Sequence, residues 1–407
     1  MVICRGCSQI VRLTFLNLGL SPIANDLVAA DNLNQEIDQY PLHAMTCENC
    51  GLVQLSDSLS REKLFSFEYV YYSSFSQSWL EHSKLYAKKM IKLLSLDQND
   101  LVIEVGSNDG YLLQYFSDNN IPVLGIEPSL GVAESAISKG IPTMVEFFGD
   151  QLALNLREIK KPKLLIANNV LAHVPDILNF VRGFSTLIAD DGIITFEFPH
   201  LLNLIRFNQF DTIYHEHYSY LSLTSLLPIF EQCGLKVVNI EKIATHGGSL
   251  RLFLTKTNSE LSQNDSVRNL IHEELVYDPR KEEVFSPFQK RVLDIKESLI
   301  LEMSNCKNNN LRIAAYGAAA KGVTLLNFCK LDSNVIDFVV DLNPNKQKKF
   351  IPSLKIPVVD PIYMVDNPPD VLLVLPWNIS NEIKLQNTNY VENGMKLVRA
   401  IPKVEYF

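Results

Sequence analysis

Between residues 101 and 199 short apolar strands alternate with turns and helical stretches. LVIEVGSNDG is a strand ending in a glycine turn, YLLQYFSDNN is helical and PVLGIEP is a second strand. SLGVAESAISKG then reads as a helix closed by Gly140, and KLLIANN and GIITFEFP as two further strands. Such alternation predicts a parallel sheet with helices on both faces, because parallel neighbours are joined by crossovers that cover the sheet. GLKVVNIEKI and GSLRLFLTK, joined by ATHG, read as a terminal antiparallel pair. The pattern restarts as LRIAAYG, a helix from Lys321 to Leu331, VIDFVVD, IPVVD and DVLLVLP, which predicts a second, smaller doubly wound domain.

Two amphipathic stretches flank the first sheet. SFSQSWLEHSKLYAKKMIKLLSL repeats apolar residues at helical spacing through Trp79, His82, Leu85 or Tyr86, Met90 and Leu93 or Leu94. Beyond polar SELSQNDS a second helix carries Phe288, Val292, Ile295 and Leu299 on one stripe. With 407 residues and roughly 150 per domain, two or three domains are expected. The boundaries expected are 1–65 for a small N-terminal module, 66–260 for the first α/β domain and 261–407 for the second.

The N-terminal module holds CRGC at Cys4 and Cys7 and CENC at Cys47 and Cys50. Four thiolates around one Zn²⁺ complete a tetrahedron with no open position, which implies a structural metal. Two unrelated cysteine pairs, or a redox CxxC, are the alternatives. Seven cysteines are an odd number, and in a reducing compartment such pairs are metal ligands before they are disulfides.

Charge and hydropathy exclude some classes. Lys plus Arg is 37 against 46 for Asp plus Glu, a net charge of -9, and no basic block exceeds Lys346 with Lys348 and Lys349. A nucleic-acid surface is therefore not expected. MVICRGCSQI lacks an apolar signal core, and no stretch reaches the roughly 18 unbroken apolar residues of a membrane span. A soluble, cytoplasmic protein is expected, with a monomer as the default.

Several motifs sit where open α/β sheets bind ligands. EVGSNDG offers Glu104, Gly106, Ser107, Asn108, Asp109 and Gly110 on a strand-to-helix turn, and Glu127 with Pro128 ends the second strand. An acidic residue there can accept both hydroxyls of a ribose. The ExGxxxG form favours S-adenosylmethionine over NAD, since no pyrophosphate needs cradling; a plain packing turn is the alternative. Phe147 or Phe148 could cover an adenine face, or either could be core. ANNVLAHVPD places Asn168, Asn169 and His173 past a strand end, with His173 open between substrate contact, proton transfer and helix capping. GAAAKG, with Lys321, could approach a diphosphate or serve close strand–helix packing. THGGSLR, with His246, Ser249 and Arg251, could meet a ligand or be a hairpin turn. DTIYHEHYSYLS crowds Tyr214, His215, Glu216, His217, Tyr218 and Tyr220 together, and metal site, proton-transfer site and surface loop are all open to it.

Taken in order, the paired CxxC module, EVGSNDG with GIEP, ANNVLAHV, FEFPH, YHEHYSYLS, HGGSLR and YGAAAKG resemble the S-adenosylmethionine-dependent sugar C-methyltransferases that act on nucleotide-linked 4-ketosugars. The resemblance spans essentially the whole chain. It implies an α/β protein with an N-terminal zinc-binding domain, a central Rossmann-like methyltransferase domain and a C-terminal Rossmann-like domain that helps hold the sugar nucleotide. It also implies an active site containing Tyr214, Glu216, His217, His173 and a tyrosine before SSFS, assigned to Tyr71 ahead of Tyr69 and Tyr72. Methyl transfer to carbon suits these residue types. A sugar C–H becomes acidic only beside a ketone, so a base near neutral pKa and a donor to the enolate oxygen are needed. His217 is the expected base. Rival classes are a nucleic-acid methyltransferase, an NAD-dependent oxidoreductase using GAAAKG, and a non-catalytic sugar-nucleotide-binding protein. Neither the carbon methylated, C3 or C5, nor the nucleotide carrier is written in these motifs.

Overall fold

In the computed structural model, residues 1–56, 59–64 and 72–407 are described. Tyr71 and Tyr69 lie outside the described residues. The alternating stretch and the antiparallel pair that follows it form one seven-stranded sheet in the order Leu235–Ile243, Ser249–Lys256, Ile193–Pro199, Leu164–Asn168, Val102–Val105, Val123–Ile126, Thr143–Met144. The last five strands in that order run parallel, and Ser249–Lys256 lies antiparallel between Ile193–Pro199 and Leu235–Ile243. The chain starts at Val102–Val105, winds outward to Thr143–Met144, then returns to the other side at Leu164–Asn168. That reversal leaves a crevice beyond the carboxyl ends of Val102–Val105 and Leu164–Asn168, the general ligand position of doubly wound sheets.

A second sheet has six strands in the order Val358–Val359, Phe338–Val340, Ile313–Tyr316, Val371–Val374, Lys396–Arg399, Glu405–Tyr406. All pairs are parallel except the last. Its own reversal falls between Ile313–Tyr316 and Val371–Val374, so Gly317–Lys321 and Leu375–Asn378 flank a second crevice. The α/β architecture is thus built twice.

The N-terminal strands form a four-stranded antiparallel sheet whose edge is supplied from far along the chain, in the order Ser219–Tyr220, Val53–Leu55, Tyr40–Thr46, Leu13–Ser21. One face shares a core with the helix Glu282–Asn308 and the second sheet, Phe15 stacking on Phe288 with ring centroids 5.2 Å apart. The cysteine end instead shares a core with the seven-stranded sheet, through Cys4, Val11, Met45, Cys47 and Leu52. The small module is therefore wedged between the two large sheets, and Val28–Ala29 adds a short pairing to Lys349–Phe350.

Helices follow their apolar stripes. Gln77–Leu94 is capped by Ser76, whose hydroxyl accepts from the Trp79 N–H at 3.3 Å, and it buries Trp79, Tyr86 and Met90 while Leu85 and Leu93 face water. Phe288, Val292, Ile295 and Leu299 are all buried on Glu282–Asn308. YLLQYFSDNN forms a helix only over Leu113–Ser117, because its first residues remain in the turn that follows Gly106. Among the described residues no helix is long and apolar enough to cross a membrane.

Candidate active site

The two crevices face each other across a single cavity of about 440 Å³, within the roughly 300–1,000 Å³ of small-molecule sites. Its first wall comes from the seven-stranded sheet. At the reversal, Gly106 has φ +68°, and a Cβ there would stand 2.4 Å from Val170 Cγ2, so only bare backbone fits. Asn108 is next to it in the lining, and its Oδ1 accepts from the Ser73 N–H at 2.8 Å. Glu127 and Pro128 end the second strand in the same wall; the Glu127 carboxylate accepts from the N–H groups of Asn108 (3.0 Å) and Ser129 (2.9 Å). Burial raises the Glu127 pKa against those two hydrogen bonds.

Across the reversal, Asn168 and Asn169 line the cavity, and each holds a buried Oδ1 with no hydrogen-bond partner among the described residues. Buried acceptors of that kind are costly unless a ligand supplies a donor. Phe147 and Phe148 close this end; the Arg61 guanidinium lies 4.2 Å from the Phe147 ring centre, whereas Phe148 packs edge-on against Phe180 and Phe184. A bare backbone turn, an acidic strand end, two open acceptors and an aromatic face fit a nucleoside bearing an amino-acid tail.

The YHEHY stretch forms the middle of the cavity. The helix Leu201–Arg206 and the turn Phe210–Thr212 lead into it, and the His217 N–H donates back to the Tyr214 carbonyl at 2.9 Å. His217 Nδ1 lies 2.8 Å from the Thr212 carbonyl, which can only accept, so Nδ1 carries the proton and Nε2 keeps its lone pair. Tyr214 Oη then donates to Nε2 at 3.0 Å. His173 meets the same imidazole edge-on, with ring centroids 4.6 Å apart. Burial, and then the neighbouring His173, holds His217 well below the usual histidine range, and burial takes His173 down to about 4. Both rings are neutral near pH 7. Glu216, also in the lining, accepts from Asn25 Nδ2 at 2.7 Å, and burial pushes its carboxyl up to about 7.

The opposite wall belongs to the second sheet. Lys321 and Lys346 both line the cavity; Lys321 donates to Asn378 Oδ1 at 2.6 Å and lies 4.7 Å from the Trp377 ring centre, while Lys346 donates to the Ala318 carbonyl at 2.9 Å. Burial lowers the Lys321 pKa, opposed by Asp211. His246 closes the remaining side, accepting from Asn169 Nδ2 at 3.3 Å and tilted against Trp79 at 5.2 Å.

Six residues expected at the site stand behind the lining. Glu104 accepts from Tyr111 Oη at 2.9 Å, beneath the cavity floor. Ser107 points under the sheet toward Gly125, and Gly110 lies against Ile141 with φ +79°. Asp109 is held by the Lys139 ammonium at 3.0 Å and the Ser74 hydroxyl. Ser249 donates to the Thr245 carbonyl at 3.1 Å, and Arg251 is bound in a buried ion pair with Glu197 at 2.5 Å. Other lining residues carried no signal in the sequence as site residues: Asn25 from the small module, Trp79 read as helix core, Thr212, and Lys346 noted only as part of a basic block.

At the far end of the small module the Sγ atoms of Cys4, Cys7, Cys47 and Cys50 lie within 4.8 Å of one another, with Cys4–Cys50 and Cys7–Cys47 each at 3.5 Å. Four thiolates about 2.3 Å from one zinc would stand roughly 3.8 Å apart, so the cluster fits a closed tetrahedral site.

Residues 4–65 match a zinc binding domain family, residues 79–240 a methyltransferase domain family and residues 244–402 the C-methyltransferase C-terminal domain family. The C-methyltransferase NovU of Streptomyces niveus is 30% identical over 404 residues, covering 98% of this chain and 95% of that protein. The chain belongs to the S-adenosylmethionine-dependent C-methyltransferase family. The solved magnesium protoporphyrin IX methyltransferase of Synechocystis PCC 6803, with bound S-adenosylmethionine, is 16% identical with a TM-score of 0.32, covering 42% of this chain and 79% of that one. The PH0226 protein of Pyrococcus horikoshii OT3 is 12% identical with a TM-score of 0.37, covering 46% and 95%. The C-methyltransferase uses S-adenosylmethionine as its cofactor and holds a structural zinc between Cys4, Cys7, Cys47 and Cys50.

Proposed function

We propose that this C-methyltransferase adds a methyl group to C3, or C5, of a nucleotide-linked 4-keto-deoxysugar, through an enolate that His217 forms by removing the proton beside the ketone. The observation that carries this reading is the neutral His217 imidazole, whose Nδ1 is committed to the Thr212 carbonyl and whose unprotonated Nε2 accepts from the Tyr214 hydroxyl in the cavity. A carbon nucleophile requires such a base, and only the unprotonated ring can act as one. Tyr214, or His173, would donate to the developing enolate oxygen, worth roughly 3 kcal/mol for a well-placed donor. Glu216 would hold a sugar substituent, or take the proton in place of His217.

S-adenosylmethionine, when bound, supplies the methyl group. Glu127 would take its ribose hydroxyls, Asn168 and Asn169 its donors, and Phe147 its adenine, with Gly106 giving the backbone room. Lys321 and Lys346 face this site from the second sheet, where two ammonium groups suit a diphosphate. Their place supports a charged sugar nucleotide over an uncharged sugar.

Incubation with dTDP-, GDP- and CDP-linked 4-ketosugars tests the proposal. The expected result is S-adenosylmethionine-dependent appearance of a new C–CH₃ group on one of them, located by NMR. Transfer only to oxygen or nitrogen acceptors, with every ketosugar nucleotide inert, would overturn it.

A further inference from the structure

The residues that follow His217 are held by the zinc module. Ser219 and Tyr220 pair with Gln54 and Val53 as the edge of its sheet, and the Leu55 N–H donates to the Tyr218 carbonyl at 3.0 Å. A two-residue strand with two partners is weak by itself. A third tie comes from Arg5, which lies between the zinc ligands Cys4 and Cys7. Its Nη1 donates to the Leu55 carbonyl at 3.0 Å and to the Tyr218 carbonyl at 3.3 Å, and its guanidinium carbon lies 5.5 Å from the Tyr218 ring centre. The Arg5 N–H donates to Gln54 Oε1 at 2.8 Å, and Gln54 Nε2 donates to the Ile3 carbonyl at 3.0 Å. Gln54 is buried and is itself the ladder partner of Ser219. The backbone that carries two zinc ligands is thereby tied, through one guanidinium and one amide, to the backbone that carries His217.

We propose that Arg5 is a positioning residue for methyl transfer, the link through which the zinc knuckle fixes the register of Tyr218–Tyr220 and with it the place of His217 in the cavity. A four-cysteine site has no open position for chemistry, so its effect on turnover must pass through structure. Arg5 does not line the cavity, and the S-adenosylmethionine wall is built from other elements. Loss of the tie therefore changes the reacting geometry without changing cofactor binding. The inference rests on His217 acting as the base.

Arg5→Ala and Arg5→Lys, prepared as zinc-loaded full-length enzyme, test it by four readouts: zinc content, S-adenosylhomocysteine affinity, hydrogen exchange of the Leu55 amide, and kcat. Lysine keeps the charge and a donor for the carbonyls but lacks the planar guanidinium that lies over the Tyr218 ring. The expected result is unchanged zinc content and affinity, faster exchange at Leu55, and a kcat lowered about 10²-fold in Arg5→Ala, the scale of a small misplacement of a catalytic group. Arg5→Lys should recover part of both the protection and the rate. Unchanged Leu55 exchange in both variants, or faster exchange with kcat intact, would overturn the proposal. His217→Ala measured alongside separates the two readings: if it still transfers methyl, the base assignment fails, while Leu55 exchange still judges the Arg5 tie.

Discussion

His217 and Glu216 are adjacent, both buried, and pushed in opposite directions by that burial. Loss of hydration disfavours the charged form of each, so the histidine falls below its usual range and the carboxyl rises. The pH dependence of kcat/KM distinguishes them. With His217 as base, the acid limb measured over about pH 5 to 9 lies below the ordinary histidine value of 6.5. With Glu216 as base, its midpoint stands near 7. Stability gives a second test. Glu216 binds its proton more tightly in the folded chain, so it costs nothing below its ordinary value of 4.5 and destabilises progressively as pH rises from there to about 7. Replacing it by glutamine, which still accepts from Asn25, should raise thermal stability by about 2–4 kcal/mol near pH 8 and leave it unchanged near pH 4.5. Equal melting shifts at both pH values would contradict that burial cost.

At the scale of elements, the helix Leu223–Gln232 shows how the segment beyond the YHEHY stretch is fixed. Glu274, on the helix Asp265–Val276, accepts from the Leu223 and Thr224 N–H groups at 2.7 Å each and from His200 Nε2 at 2.8 Å. The carboxylate thus sits at a helix N-terminus, where backbone dipoles favour negative charge. Glu274→Ala leaves those donors buried without it and should cost about 3–5 kcal/mol in chemical denaturation, with S-adenosylhomocysteine affinity unchanged. Strands such as Ile193–Pro199 and the long helices Gln77–Leu94 and Glu282–Asn308 are legible in the sequence, because apolar runs and the 3.6-residue period follow from local geometry, whereas the shorter helices around this network, Leu201–Arg206, Leu223–Gln232 and Asp265–Val276, are not. Nor is the strand Ser219–Tyr220. Its two residues carry no period, and its partners Gln54 and Val53 lie far away in the chain.

The cavity exists only in the assembled molecule. Gly106, Glu127, Asn168 and Asn169 are readable as a site because strand ends of a doubly wound sheet converge by rule. The same rule says nothing of which side chains face the crevice: Asp109 turns to Lys139, and Arg251 to Glu197. Nor does it reach Asn25 and Lys346, which arrive from the small module and the second sheet and become neighbours of Glu216 only through tertiary packing. A wall that fits a methyl donor on one sheet, a cationic wall on the other and a neutral histidine between them support the proposal that His217 deprotonates the sugar carbon beside a ketone. Hydrogen–deuterium exchange at that carbon in D₂O measures this directly, with S-adenosylhomocysteine bound so that no methyl can leave. Wild-type enzyme should exchange the hydrogen, and His217→Ala should do so at least about 10²-fold more slowly with S-adenosylhomocysteine affinity intact. Exchange at the wild-type rate in His217→Ala would contradict the claim.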